Sequence, residues 1–149
     1  MSINWILKNF DELTPDELYA IMRLRIEVFV VEQNCVFQDL DNIDQQCMHY
    51  MGWNNETLCA YTRIVPPGIV HSLPAIGRVV TSPQFRGGGL GRTLMENSII
   101  ETKKLFGNTD IKVGAQLYLK KFYSSLGFNQ SSDMYLEDGI EHIEMIKPA

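Results

Sequence analysis

Apolar positions along the chain alternate between two periods, and the switches between them mark the predicted elements. After a short apolar start at Ile3 to Leu7, the run Thr14, Pro15, Asp16, Glu17 is a helix-opening signature. It has a threonine cap, a proline in the first turn and a glutamate three residues after the cap. Leu18, Ile21, Met22, Val28 and Phe29 recur at helical spacing and predict a helix to about Val31. Arg25 falls on that face, either as a snorkelling stem or as a charge directed into a site. Gln46 to Trp53 and Thr57 to Val65 read as the strands of a hairpin turned at Asn54 and Asn55. Pro66, Pro67, Gly68 and Pro74 mark a loop, and Ala75 to Thr81 reads as a buried strand halted by Ser82 and Pro83. Leu90, Leu94, Ile99, Leu105 and Phe106 suit an amphipathic helix from Gly89 to about Phe106, ending at Gly107. Ile111 to Ala115 alternates as a strand, Leu117 to Leu126 reads as a helix closed by Gly127, and Glu137, Asp138, Gly139 join two final strands.

Composition adds boundaries to this pattern. A chain of 149 residues with 45% apolar and 21% charged positions, and with no repeat or linker, fits one domain spanning 1–149. No apolar stretch approaches the ~20 residues that cross a bilayer, and the start lacks a basic segment followed by an apolar core, so a cytoplasmic protein with no membrane partner is expected. With 18 acidic against 13 basic residues, nucleic acid is disfavoured as a partner and a cationic substrate suits the chain better. Cys35, Cys47 and Cys59 match neither a metal knuckle nor a disulfide framework and read as reduced thiols. His49, His71 and His142 show no ligand spacing, so no metal site is expected. Asp39, Asp41 and Asp44 lie in a polar loop that lacks the glycine and glutamate of a calcium loop. They form either a solvated loop or an acidic rim that attracts an amine.

The candidate chemistry centres on Arg86, Gly87, Gly88, Gly89, Leu90, Gly91 and Arg92, which lie between a predicted strand and a predicted helix. The order places unpaired backbone N–H groups at a helix start, where the helix dipole also favours an anion, and glycines let phosphate oxygens approach closely. Two familiar phosphate loops are excluded by spacing. A Walker loop would need glycine where Arg86 stands and lysine where Arg92 stands, and a dinucleotide fingerprint would need glycine at Leu94.

The pattern R-x-x-G-x-G, carried by Arg86, Gly89 and Gly91 after Arg78, Val79, Val80, Thr81, Ser82 and Pro83, resembles motif A of the GCN5-related N-acetyltransferase (GNAT) superfamily. Downstream, Gln116 followed by Phe122, Tyr123, Leu126, Gly127 and Phe128 resembles the superfamily's fourth helix and its ending. The pieces Arg25, Val28 to Gln33, Gly114 to Gln116 and Glu137 to Ile140 look most like the bacterial ElaA-type subfamily. The resemblance implies an α/β (α+β) fold with a mixed, mostly antiparallel central sheet, splayed between the fourth and fifth strands and flanked by helices. It also implies acetyl-CoA as cofactor and transfer of its acetyl group, by direct attack through a ternary complex, to a primary amine of a small molecule, peptide or protein. A fold does not guarantee its chemistry, so a non-catalytic acyl-CoA sensor is the alternative. A homodimer is compatible with either.

By the same resemblance, Gly87 to Arg92 hold the cofactor diphosphate with Arg86, Val79 to Thr81 pair with the pantetheine arm, and Gln116 hydrogen-bonds the cofactor. Tyr123 is placed to protonate the departing thiolate, and the Val80 N–H is the expected oxyanion donor. A protonated amine needs a base, for which His142 and Glu144 on one face of the last strand are candidates, with Glu32, Asp41 and His49 on the acceptor side. Arg25 and Glu32, at i and i+7 on one helical face, either position the substrate together with Asp41 or serve as an internal ion pair or surface cover.

Overall fold

The computed structural model describes residues 2–149. Strand β1 (Asn4–Asn9) leads through a short 3-10 turn into α1 (Pro15–Arg25), whose Thr14 cap and Glu17 form the expected reciprocal capping box. The helix does not run on as α to Val31. From Ile26 to Glu32 it widens into a π-helical segment, with Gln33 N–H donating to the Val28 carbonyl and Cys35 N–H to that of Val30. Such segments are rare and concentrate at functional sites.

A 3-10 turn at Asp44–Gln46 precedes β2 (Met48–Asn54), so this strand starts two residues later than the pattern predicts; β3 (Thr57–Val65) and β4 (Ala75–Thr81) have the predicted limits. Helix α2 (Leu90–Phe106) ends at Gly107, as its pattern required, and β5 (Ile111–Gln116) comes next. The expected helix from Leu117 is a 3-10 turn at Leu117–Leu119 followed by α3 (Lys120–Ser125). The chain finishes with a two-residue strand β6 (Asn129–Gln130) that the pattern did not reveal, then β7 (Tyr135–Glu137) and β8 (Ile140–Lys147). Asp138 and Gly139, at φ 51° and 79°, make the tight turn between the last two, as paired positive-φ residues do in hairpins.

The sheet runs β1-β2-β3-β4-β5-β8-β6, with β7 also on β8. Every pairing is antiparallel except β4 with β5, which meet in register only at Ala75 and Lys112. Beyond that point the two strands diverge, and the expected splay is present. Apolar clusters seal each side of it. Ile21, Leu24, Met51 and Tyr61 pack between α1 and the first half of the sheet, whereas Met95, Val113, Phe128 and Ile143 pack α2 and α3 against the second.

Candidate active site

Strand β4 delivers the chain to the glycine loop. Ser82 caps a 3-10 turn at Pro83–Phe85, and Gly87 and Gly89 then take φ values of 92° and 79°, a region costly for residues with a Cβ. Gly89 is the N-cap of α2 and offers no side chain to the first-turn N–H groups, which have no intrahelical acceptor either. A Cβ added at Gly87, Gly88, Gly89 or Gly91 would meet no atom within 4 Å. Open space in front of free donors at the positive end of a helix fits a diphosphate, so these residues suit the diphosphate of coenzyme A. Two arginines flank the loop. Arg92 donates to Ser125 on α3 at 3.0 Å, and Arg86 forms a bidentate ion pair with Glu32, both contacts 2.8 Å.

A cleft of about 980 Å³ opens in the splay, bordered by Arg86, whereas Gly87 to Arg92 lie outside its lining. Val79, Val80, Thr81 and Arg86 line one wall; Gly114, Gln116, Tyr123, His142 and Glu144 line the other, with Glu32 and Asp41 also on its border. Ten of the site residues expected from the sequence therefore share one cavity. The Tyr123 ring is fixed edge-on between Phe122 and Phe128, at centroid distances of 5.2 and 5.9 Å. Burial pushes its phenol well above the usual range, so it holds its proton at neutral pH. Gln116 reaches the Gln33 side chain at 3.4 Å.

On β8, the His142 Nδ1 lies 2.8 Å from the Ile140 carbonyl. A carbonyl only accepts, so Nδ1 carries a proton, and Nε2 lies 3.5 Å from the Glu137 carboxylate. Glu144 is held by Lys112 at 2.9 Å.

The backbone of β4 departs from expectation at Val80. Tyr61 pairs with Val80 and Arg63 with Gly77, so Thr62 alone faces both Arg78 and Val79: a β-bulge, with Arg78 at φ 50°. Ser82 N–H donates to the Cys59 carbonyl at 2.8 Å, and alternation from that bond turns the Val80 N–H toward β3. Val80 is thus occupied within the sheet and does not offer its N–H to the cleft. The N–H groups of Val79 and Thr81 face the open side instead.

Four further expectations change, three of them through one buried charge network and that of Glu32 through the π-helical turn. Arg25 is neither a snorkelling stem nor a substrate contact; it is fully buried, donating to Asp39 at 2.9 Å and Asp44 at 2.7 Å. The π-helical turn rotates Glu32 off the Arg25 face, out to Arg86. His49 is also fully buried, between the Tyr61 hydroxyl at 2.6 Å and the Asp44 carbonyl at 2.9 Å, and does not reach the cleft. Nor is the aspartate loop solvated. Asp39 and Asp44 are buried, while Asp41 is part-exposed and bonds Arg63 at 2.8 and 3.0 Å and Arg78 at 3.3 Å. Burial opposes the Asp41 charge, but Arg63 and Arg78 outweigh it and lower the carboxyl to about 2.

Arg63 and Arg78, which both line the cleft, were missed by the sequence reading. The signal was present: each interrupts an apolar strand, where a cation needs an acid partner, and three aspartates stand unassigned nearby.

The pattern of the Acetyltransferase (GNAT) domain family matches residues 20–149. Protein ElaA of Escherichia coli is 39% identical over 97% of this chain and 96% of its own length, and a UPF0039 protein of Synechocystis is also 39% identical, over 98% and 96%. Among solved structures, an acyl-CoA N-acyltransferase from Pseudomonas aeruginosa superposes with a TM-score of 0.95 at 40% identity, covering 98% of this chain and 99% of that one. With its splayed sheet, its glycine-opened helix and these relatives together, the chain belongs to the GNAT acetyltransferase family and, within it, groups with ElaA.

Proposed function

We propose that this chain acts as a single-domain, cytoplasmic N-acetyltransferase that moves the acetyl group of acetyl-CoA to a primary amine within a ternary complex. The observation that carries the reading is the divergence of strands β4 and β5 around a cleft that Tyr123 lines from one wall and Arg86, at the head of the glycine loop, borders from the other. Acetyl-CoA, when bound, supplies an acyl thioester and a thiol leaving group.

The residues then have distinct tasks. Backbone N–H groups from Gly87 to Arg92 hold the diphosphate, and those of Val79 and Thr81 face the arm and the thioester carbonyl; Gln116 holds the arm from β5. A donor aimed at a developing oxyanion contributes about a hundred- to a thousandfold in rate. Tyr123 gives its proton to the departing sulfur. His142, through Nε2, takes the proton of the attacking amine, with Glu137 beside it to stabilise the imidazolium and Glu144 as the second carboxylate on that wall. On the cleft border Glu32, Asp41 and Glu144 are each paired with a cation, and Glu137, beside His142, is the carboxylate that suits a cationic acceptor.

The test is thiol release from acetyl-CoA against polyamines, lysine peptides and aminoglycosides. Amine-dependent release is expected for at least one class. Tight acetyl-CoA binding with no release from any of them would replace this reading with a sensor.

A further inference from the structure

Arg78 occupies a conformation that a residue with a side chain rarely adopts, at φ 50°, in the middle of a strand. Something must hold it there, and its contacts name the holder. Its Nε donates to the Asp39 carboxylate at 2.8 Å, one terminal nitrogen donates to the Asp39 backbone carbonyl at 2.9 Å, and the same nitrogen reaches Asp41 at 3.3 Å. Asp39 is itself immobilised from the other side. Arg25 on α1 donates to its second carboxylate oxygen at 2.9 Å and to its carbonyl at 3.2 Å, and Asp39 is 1% exposed. The result is a clamp: helix α1 grips Asp39, Asp39 grips Arg78, and Arg78 sits on the bulge that inserts one extra residue into β4 opposite Thr62.

The bulge matters because of its neighbour in the chain. Val79 is the next residue, it lines the cleft, and its N–H faces the side where β4 leaves β5. A donor there is useful only if its direction is fixed before the reaction, since preorganisation is the source of oxyanion stabilisation.

We propose that Asp39 and Arg78 are positioning residues whose clamp sets the β4 bulge and so aims the Val79 N–H at the thioester carbonyl; this rests on the N-acetyltransferase reading above. A consequence is that the loop at Asp39–Asp44, on the acceptor side, is mechanically tied to the cofactor strand. The Asp39 side chain is buried, and the Arg78 guanidinium is engaged by Asp39 and Asp41.

Glycine and alanine at position 78 separate this role from a merely structural one, because both remove the same charge and the same hydrogen bonds. Only glycine adopts positive φ freely. The readouts are the carbonyl stretch of acetyl-CoA labelled with carbon-13 at the thioester carbon, in complex with the whole protein, and kcat with the best amine. Wild type is expected to lower the stretch relative to free acetyl-CoA. Arg78→Ala should lose that shift and at least tenfold in kcat, with cofactor Kd within about threefold, while Arg78→Gly keeps most of both. Asp39→Asn should behave as Arg78→Ala, and adding Arg78→Gly to it should restore the shift. Equal behaviour of the alanine and glycine variants in a protein whose wild type shows the shift overturns the clamp alone. A wild type with neither shift nor turnover overturns the clamp and the proposed reaction together.

Discussion

Three arginines and three aspartates meet beside the cleft, and each is paired with an opposite charge, although the buried Arg63 Nε has no hydrogen-bond partner. Arg25, Arg63 and Arg78 share Asp39, Asp41 and Asp44 through contacts of 2.7 to 3.3 Å. Removing one member of such a network leaves uncompensated charge in a desolvated place, which typically costs about 3–5 kcal/mol. Arg25→Ala is therefore expected to lower the urea-unfolding free energy by that order, read by equilibrium denaturation. A rise in acceptor KM with an unchanged unfolding midpoint would instead restore Arg25 to the substrate. Helical periodicity placed Arg25 on an inward face correctly, but a face does not name a partner. The partner came from a loop 14 residues on, whose aspartates look solvated when read in isolation. Tyr123 was legible because its motif fixes both neighbours, Phe122 and Phe128, that hold its ring.

At the scale of elements, the start of α2 separates folding from binding. Gly91 lies inside the helix at an ordinary φ with nothing within 4 Å of an added Cβ, so Gly91→Ala should leave the protein without cofactor as stable as before, or up to about 1 kcal/mol more so. The same methyl group stands where a diphosphate would approach the first-turn amides. Calorimetric titration is expected to show at least a tenfold weaker affinity for coenzyme A, and unchanged affinity would move the diphosphate away from this helix. Strands β3 and β4 were legible to the residue, and helix α2 to within one residue at its start, because turn formers bracket them. The π-helical segment was not, since moving each hydrogen bond one carbonyl further leaves the residue pattern of Ile26–Glu32 unchanged. The β4 bulge was hidden for a related reason: Gly77 and Arg78 sit in a strand whose apolar run continues on both sides.

The whole molecule is two half-sheets joined at a narrow seam, with the charge network buttressing one half. Burial works against the Asp44 charge, yet Arg25 and Arg63 lower its carboxyl below the usual range, and Arg63 and Arg78 bring Asp41 to about 2. Burial also lowers His49. All three bind protons more weakly folded than unfolded, so their contributions to stability are lost on acidification. The His49 contribution fades first as pH falls below about 6.5, and the aspartate contribution goes as pH falls from about 4 toward 2. Unfolding midpoints measured across pH should decline through that window, and Asp41→Asn should flatten the limb below pH 4 while lowering stability at pH 7. A stability independent of pH between 2 and 4 would contradict the paired state of these carboxylates.

The splay itself, with the glycine loop at one end and Tyr123 on its wall, is the place where cofactor binding and proton transfer can be told apart. Wild type and Tyr123→Phe are compared in amine-dependent thiol release from acetyl-CoA, alongside calorimetric affinity for coenzyme A. An unchanged Kd and a turnover number lower by about ten- to a thousandfold are expected if Tyr123 protonates the leaving thiolate; an unchanged turnover number would contradict that role.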